Sequence, residues 1–220
     1  MSTNSLALFR QTFPQVALFS YVNGLNKALA ECRTCLDIGC GGGSPIRLLN
    51  FEYSVGVEGH ARTLVEARRN YTHTEYCLAR AQDIGKHFTE GQFDCCVALD
   101  LIEHLTKEAG DQLIRDMERI ASKKVVLFTP NGFLPQRGAD GDLQAHRSGW
   151  DAAGMSARGY QVVGMLGHKA LRGEQHQHRF RPQFLSGLIS QLSHYAYTRS
   201  HPTHAAALLC IKDVQRDRKA

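Results

Sequence analysis

The chain has 220 residues, 43% of them hydrophobic and 21% charged, which suffices for one well-buried α/β domain and is too little for two. A net charge of +5 and a pI near 8.9 suit an acidic or phosphorylated acceptor, but the basic residues form no dense stripe, so a nucleic-acid partner is not expected. Seven cysteines is an odd number for a disulfide framework, which predicts free thiols in a reducing cytoplasm. No run approaches the roughly 20 apolar residues of a membrane span. Arg10, Pro14 and Gln15 break the early apolar stretches, so no targeting segment is expected.

The predicted elements form a single domain over 1–220, with an N-terminal helical cap at 1–31 and a core at 33–212. In the cap, Leu18, Val22, Leu25 and Leu29 recur at helical spacing. The first strand covers 34–39, and SPIRLL then opens a helix. A second strand at 54–58 leads into the helix ARTLVEARRN, and EYCLARA is the third strand. FDCCVAL is the fourth, ending at Asp100. The helix at 107–121 gathers Leu113, Ile114, Met117, Ile120 and Ala121 on one face. KKVVLFT is the fifth strand, stopped by Pro130, and a glycine-rich loop occupies 131–149. WDAAGMSARG makes a short helix and YQVVGMLG the sixth strand. A basic, histidine-rich loop at 167–181 precedes a helix at 183–195 with Phe184, Leu185, Leu188, Ile189 and Leu192 on one face. AAALLCIK closes the chain as a seventh strand. Strands alternating with helices predict an α/β, Rossmann-like, doubly wound sheet with helices on both faces.

The densest chemical signal is LDIGCGGGS at 36–44. Glycines at the end of a strand let backbone N–H groups approach a ligand closely, and Asp37 stands just before them at the strand's carboxyl end, where open α/β sheets bind ligands. Nineteen residues past Gly39, VGVEG ends its strand in Glu58, a carboxylate able to accept from both hydroxyls of a ribose. A dinucleotide-binding fingerprint is the nearest competitor. Ser44 is small enough for it, but Pro45 and Asp37 suit it poorly.

These residues resemble motif I and the following acidic motif of the class I S-adenosylmethionine-dependent methyltransferases. The resemblance implies that Asp37, Gly39, Gly41 and Gly43 wrap the methionine end of S-adenosylmethionine, and that Glu58 and Gly59 hold the ribose. It also implies that Asp83 and Ile84, in AQDIG, meet the adenine, with Asp83 also serviceable as a plain helix cap. The seventh strand is then antiparallel, inserted between the fifth and sixth.

The resemblance further implies that in ALDLIEHL Asp100 falls beside the methionine amine or the acceptor, and Glu103–His104 resembles the Glu-His pair common in this superfamily. His104 suits a general base because its pKa lies near neutrality. Asp100, Glu103 and His104 share one face of a helical turn, which also resembles the small-RNA 2′-O-methyltransferases and some quinone-biosynthesis enzymes that bind a divalent metal. TPNG at 129–132 and a distal histidine, His146, extend that resemblance. No metal is the primary expectation, with Asp100, Glu103, His104 and His146 as the alternative ligand set. Asp100, His104 and His146 are the expected catalytic groups. Arg147, Trp150 and Arg172 are expected to bind the acceptor, Arg147 by its bidentate fork and Trp150 by stacking unless it anchors the next helix. His176 and His178 resemble a weak metal pair. The expected reaction is methyl transfer to a small-molecule or glycan acceptor, at oxygen. The alternatives are a metal-dependent RNA-type 2′-O-methyltransferase and a catalytically silent binding subunit.

Overall fold

The computed structural model describes residues 21–135, 145–172 and 180–214, with the side chains of 183 and 184 outside the described set. The first 20 residues of the expected cap, residues 136–144 of the glycine-rich loop, His176, His178 and the Phe184 side chain therefore lie outside the described residues.

Seven strands form one sheet in the order β3-β2-β1-β4-β5-β7-β6. They are β1 (Thr34–Ile38), β2 (Tyr53–Glu58), β3 (Glu75–Leu78), β4 (Phe93–Leu99), β5 (Ala121–Pro130), β6 (Gln161–His168) and β7 (Ala205–Asp213). β7 runs antiparallel to both β5 and β6, as expected from the family resemblance, and the other pairings are parallel. The central strands are apolar on both sides because helices cover both faces. One face packs Leu36, Ile38, Val57 and Leu127 against Leu113, Met117 and Ile120 of α4 (Lys107–Ile120). The other packs Cys35, Val97, Val126 and Leu209 against Leu25 and Leu29 of α1 (21–29). All seven cysteines are free, and six are buried.

One expectation needs correction. SPIRLL does not open a helix but makes a single 3-10 turn, Pro45–Leu48. Ser44 caps it by accepting from Ile46 N, and the chain is extended again at Leu49 because β2 must begin at Tyr53. The loop therefore presents no long helix N-terminus to a ligand.

The helix expected at 183–195 keeps its apolar face in α6 (Gln183–Ser193), which follows α2 (Ala61–Arg69), α3 (Ile84–His87) and α5 (Ala152–Ala157). Its apolar stripe faces out, and Ser186, Ser190 and His194 are buried. β6 is the edge of the sheet, and edge backbone groups need partners. Ser190 Oγ donates to Leu166 O at 2.9 Å, His168 N donates to Ser193 Oγ at 3.0 Å, and Gly164 N donates to Arg199 O at 3.2 Å. The approach is so close that a Cβ on Gly164 would stand 1.9 Å from Thr198 O. Polar satisfaction of the edge, not apolar burial, sets which side of this helix turns inward.

At the opposite end of the sheet, Asp94 ties three strands together. Its carboxylate accepts from Arg33 N at 2.7 Å and lies 3.0 Å from Lys123 Nζ, while its own N–H donates to Thr34 Oγ1 at 2.8 Å. Burial alone would raise its carboxyl pKa. The Arg33 N–H and the Lys123 ammonium outweigh that and hold it below the usual value. A depressed folded pKa adds stability above the unfolded value and loses it on acidification. Asp94→Asn is expected to cost about 1–3 kcal/mol at neutral pH, with the gap to wild type closing as pH falls below about 4. Urea midpoints of both proteins across that range check the sign.

Candidate active site

The glycine loop is drawn over β2 because Gly39 N and Cys40 N both donate to Val57 O, at 2.8 and 3.1 Å. Gly39 and Gly41 have φ of +73° and +58°, a region that penalises a Cβ. A Cβ at Gly39 would also strike Leu101 at 2.8 Å, whereas the space at Gly41 is open. Gly43 has neither a positive φ nor a close neighbour, so its place in the expected trio rests on no backbone requirement.

Glu58 clamps this loop. One carboxylate oxygen accepts from Gly41 N at 3.1 Å and the other from His60 N at 2.9 Å. A carboxylate offers about four acceptor positions, so two remain for a diol. Beside it, a cleft of about 460 Å³ opens at the ends of β2 and β3, lined by Gly59, Leu78, Ala79, Arg80, Asp83, Lys86 and His87. That volume suits a nucleoside-sized ligand.

Not every expected contact faces this space. Asp37 is only 1% exposed, and its carboxylate lies 3.1 Å from His73 Nε2, also buried. It sits inside the protein against His73 and does not line the cleft. His73, which also reaches Ser54 Oγ through Nδ1, carried no motif signal in the sequence. Ile84 is fully buried in the core with α3 and has no face toward an adenine ring. Asp83 does line the cleft, with its carboxylate 2.6 Å from Lys86 Nζ, and this neighbour holds its carboxyl pKa low.

The carboxyl ends of β4 and β5 carry a second group. Asp100 stands at φ +52° directly after β4, accessible to solvent yet ringed by protein, and this crowding pushes its carboxyl up to about 7. Glu103 is 3% exposed and accepts from Thr129 Oγ1 at 3.0 Å. Burial and then Asp100 push its carboxyl up to about 8. Tyr21 of α1 joins them, its ring 4.5 Å from Phe128. Its buried hydroxyl has no hydrogen-bond partner among the described residues, and burial followed by Asp100, Asp37 and Glu103 raises its pKa. No sequence pattern marked Tyr21.

A strap over 145–150 completes the site. The Glu103 carbonyl accepts from Arg147 N at 2.7 Å and Ser148 N at 3.1 Å, and the Ile102 carbonyl accepts from Ser148 Oγ and Trp150 Nε1, both at 3.3 Å. The latch sets the His146 ring 4.8 Å from that of His104. His146 Nδ1 lies 2.7 Å from Leu134 O, which assigns the proton to Nδ1 and leaves Nε2 as the lone-pair nitrogen. Ligand atoms of Glu103, His104 and His146 all lie within 4.8 Å of one another, and Asp100 is not part of that group.

The three expected acceptor contacts part company here. Arg147 is exposed. Trp150 is 1% exposed, its indole N–H engaged and Lys107 Nζ 3.3 Å over its ring, so it anchors the strap and offers no stacking face. Gly110 of α4 makes that possible, since a Cβ there would fall 2.4 Å from the indole. Arg172 turns back onto the sheet, its Nε donating to Leu166 O at 2.7 Å, and desolvation lowers its pKa to about 10. It braces the β6 bulge.

Among known proteins, residues 36–129 match a family model described as a methyltransferase domain. No curated relative matches the sequence. Among solved structures, a SAM-dependent methyltransferase from Archaeoglobus fulgidus aligns with a TM-score of 0.58 at 15% identity, over 94% of this chain and 99% of that one. The methyltransferase domain of bacterial CtHen1 aligns with a TM-score of 0.56 at 17% identity, over 92% and 100%. Magnesium protoporphyrin IX methyltransferase from Synechocystis, solved with bound SAM, aligns with a TM-score of 0.50 at 15% identity, over 96% and 86%. Residues 36–129 thus match the methyltransferase-domain family model, in a chain that shares its fold with these solved methyltransferases.

Proposed function

We propose that the protein transfers a methyl group from S-adenosylmethionine to an oxygen of a small-molecule or glycan acceptor. The observation that carries this reading is the Glu58 clamp. It holds an open glycine loop beside a nucleoside-sized cleft and keeps two acceptor positions for a ribose. The buried Tyr21 hydroxyl, without a hydrogen-bond partner among the described residues, supports a polar ligand beside the carboxyl ends of β4 and β5. Bound there, S-adenosylmethionine supplies a methyl group already activated by its sulfonium. The chain's residues then have to align and deprotonate the acceptor. His146 Nε2 would take the proton of the acceptor hydroxyl, raising the nucleophilicity of its oxygen. His104 packs edge-on against that imidazole, and Arg147 at the pocket mouth binds an anionic part of the acceptor.

Titration calorimetry with S-adenosylmethionine, S-adenosylhomocysteine and NAD tests the reading. Micromolar binding of the first two and none of NAD is expected. Absence of S-adenosylmethionine binding overturns it.

One observation favours a second reading, a metal-dependent 2′-O-methyltransferase of RNA type. One carboxylate and two imidazoles within 4.8 Å suit manganese or zinc better than magnesium, which prefers oxygen. Glu103, His104 and His146 would hold the ion, which would polarise the acceptor hydroxyl. Stoichiometric manganese binding that is lost in Glu103→Gln selects this reading over the base-assisted one.

A further inference from the structure

We propose that α6 and the turn following it form a docking face for an anionic lipid surface. Leu185, Leu188, Ile189 and Leu192 stand in one outward stripe continued by Tyr195, with Leu192 62% and Tyr195 56% exposed. A contiguous apolar stripe of this kind on a soluble fold marks an interaction surface, whereas single exposed apolar residues do not. The stripe does not arise from loose packing. The opposite, serine-bearing face is fixed to the backbone of β6 by the Ser190 and Ser193 hydroxyls.

Charge indicates what covers it. No charged residue occurs from 183 to 198, and exposed Arg181 and Arg199 bracket the helix. No Asp or Glu occurs from 175 to 212. A second copy of the chain would set this same patch against itself and bring the bracketing cations together. An anionic bilayer accepts the apolar stripe among its acyl chains and the arginines among its headgroups, with Tyr195 at the depth aromatic side chains favour. No helix of the described residues is long and apolar enough to cross a membrane, so the contact is peripheral. Gly167, at the carboxyl end of β6, lies against the Ser190 backbone. The face therefore adjoins the carboxyl end of β6, at the edge of the sheet.

Flotation of the full-length protein with vesicles of phosphatidylcholine alone, and of phosphatidylcholine mixed with phosphatidylserine, is the test. Binding is expected only to the mixed vesicles and should weaken with salt. The double variant Leu188→Asp, Leu192→Asp should lose about tenfold or more of that binding, at an unchanged melting midpoint because both side chains are exposed. In the wild-type protein, amide exchange over 185–199 should slow on the mixed vesicles, a readout that needs no variant. Failure to bind the mixed vesicles overturns the proposal. So does a concentration-dependent dimer dispersed by the double variant without vesicle binding, which would give the face to a second copy.

Discussion

Glu58→Ala is expected to weaken S-adenosylmethionine binding by about 100-fold or more, the equivalent of roughly 3 kcal/mol. Two effects combine. The ribose loses its paired acceptor, each hydrogen bond to a charged group being worth about 1.5–3 kcal/mol. The loop loses its clamp, because Gly41 N and His60 N both donate to this carboxylate. Glu58→Gln should resemble the alanine variant more than the wild type. In either orientation its amide sets an NH2 donor against a backbone N–H, of Gly41 or of His60, which leaves both donors unsatisfied. The side chain is only half-buried, so the ligand-free proteins should differ little in stability. Calorimetric Kd values beside melting curves separate the two effects. Binding within threefold of wild type would remove Glu58 from the cofactor site.

Trp150→Ala is expected to be the most destabilising single change described here, at about 3–5 kcal/mol. The indole is fully enclosed between α4 and the strap, and its removal leaves a cavity against Gly110, which has no side chain to fill it. It also removes the donor to Ile102 O. A typical domain is stable by only about 5–15 kcal/mol, so the loss is a large share of the total. Trp150→Phe should cost less, about 1–2 kcal/mol, because most of the packing survives and chiefly the hydrogen bond is lost. Urea unfolding of the three proteins measures this directly. The same strap sets His146 beside His104, so activity should fall in the phenylalanine variant even where the fold is retained. Equal stability of the alanine variant and wild type would mean that Trp150 is not the anchor.

Both predictions start from residues visible in the sequence, but by different routes. The glycine loop and Glu58 were legible because a few neighbouring residues determine a strand, its tight turn and the acid at the end of the next strand. The seven strands were legible for a similar reason. Two-sided burial writes the inner strands as short, nearly unbroken apolar runs, and the helix of Leu113 and Met117 carries its face in its period.

Tertiary structure decided everything that depends on residues distant in sequence. The apolar period of α6 shows that a stripe exists, but the unpaired backbone of β6 turns it outward. Asp37 precedes the glycines as expected, yet His73, 36 residues later, holds its carboxylate inside the protein. Trp150 was read as a stacking platform or an anchor, and Gly110 on another helix makes it an anchor. His104 and His146 are 42 positions apart and become one pair through the bonds that latch the strap to Glu103 and Ile102. Local spacing sets backbone geometry within a few residues. Which side chains meet is set by the order of strands in the sheet and by where its unpaired polar groups find partners.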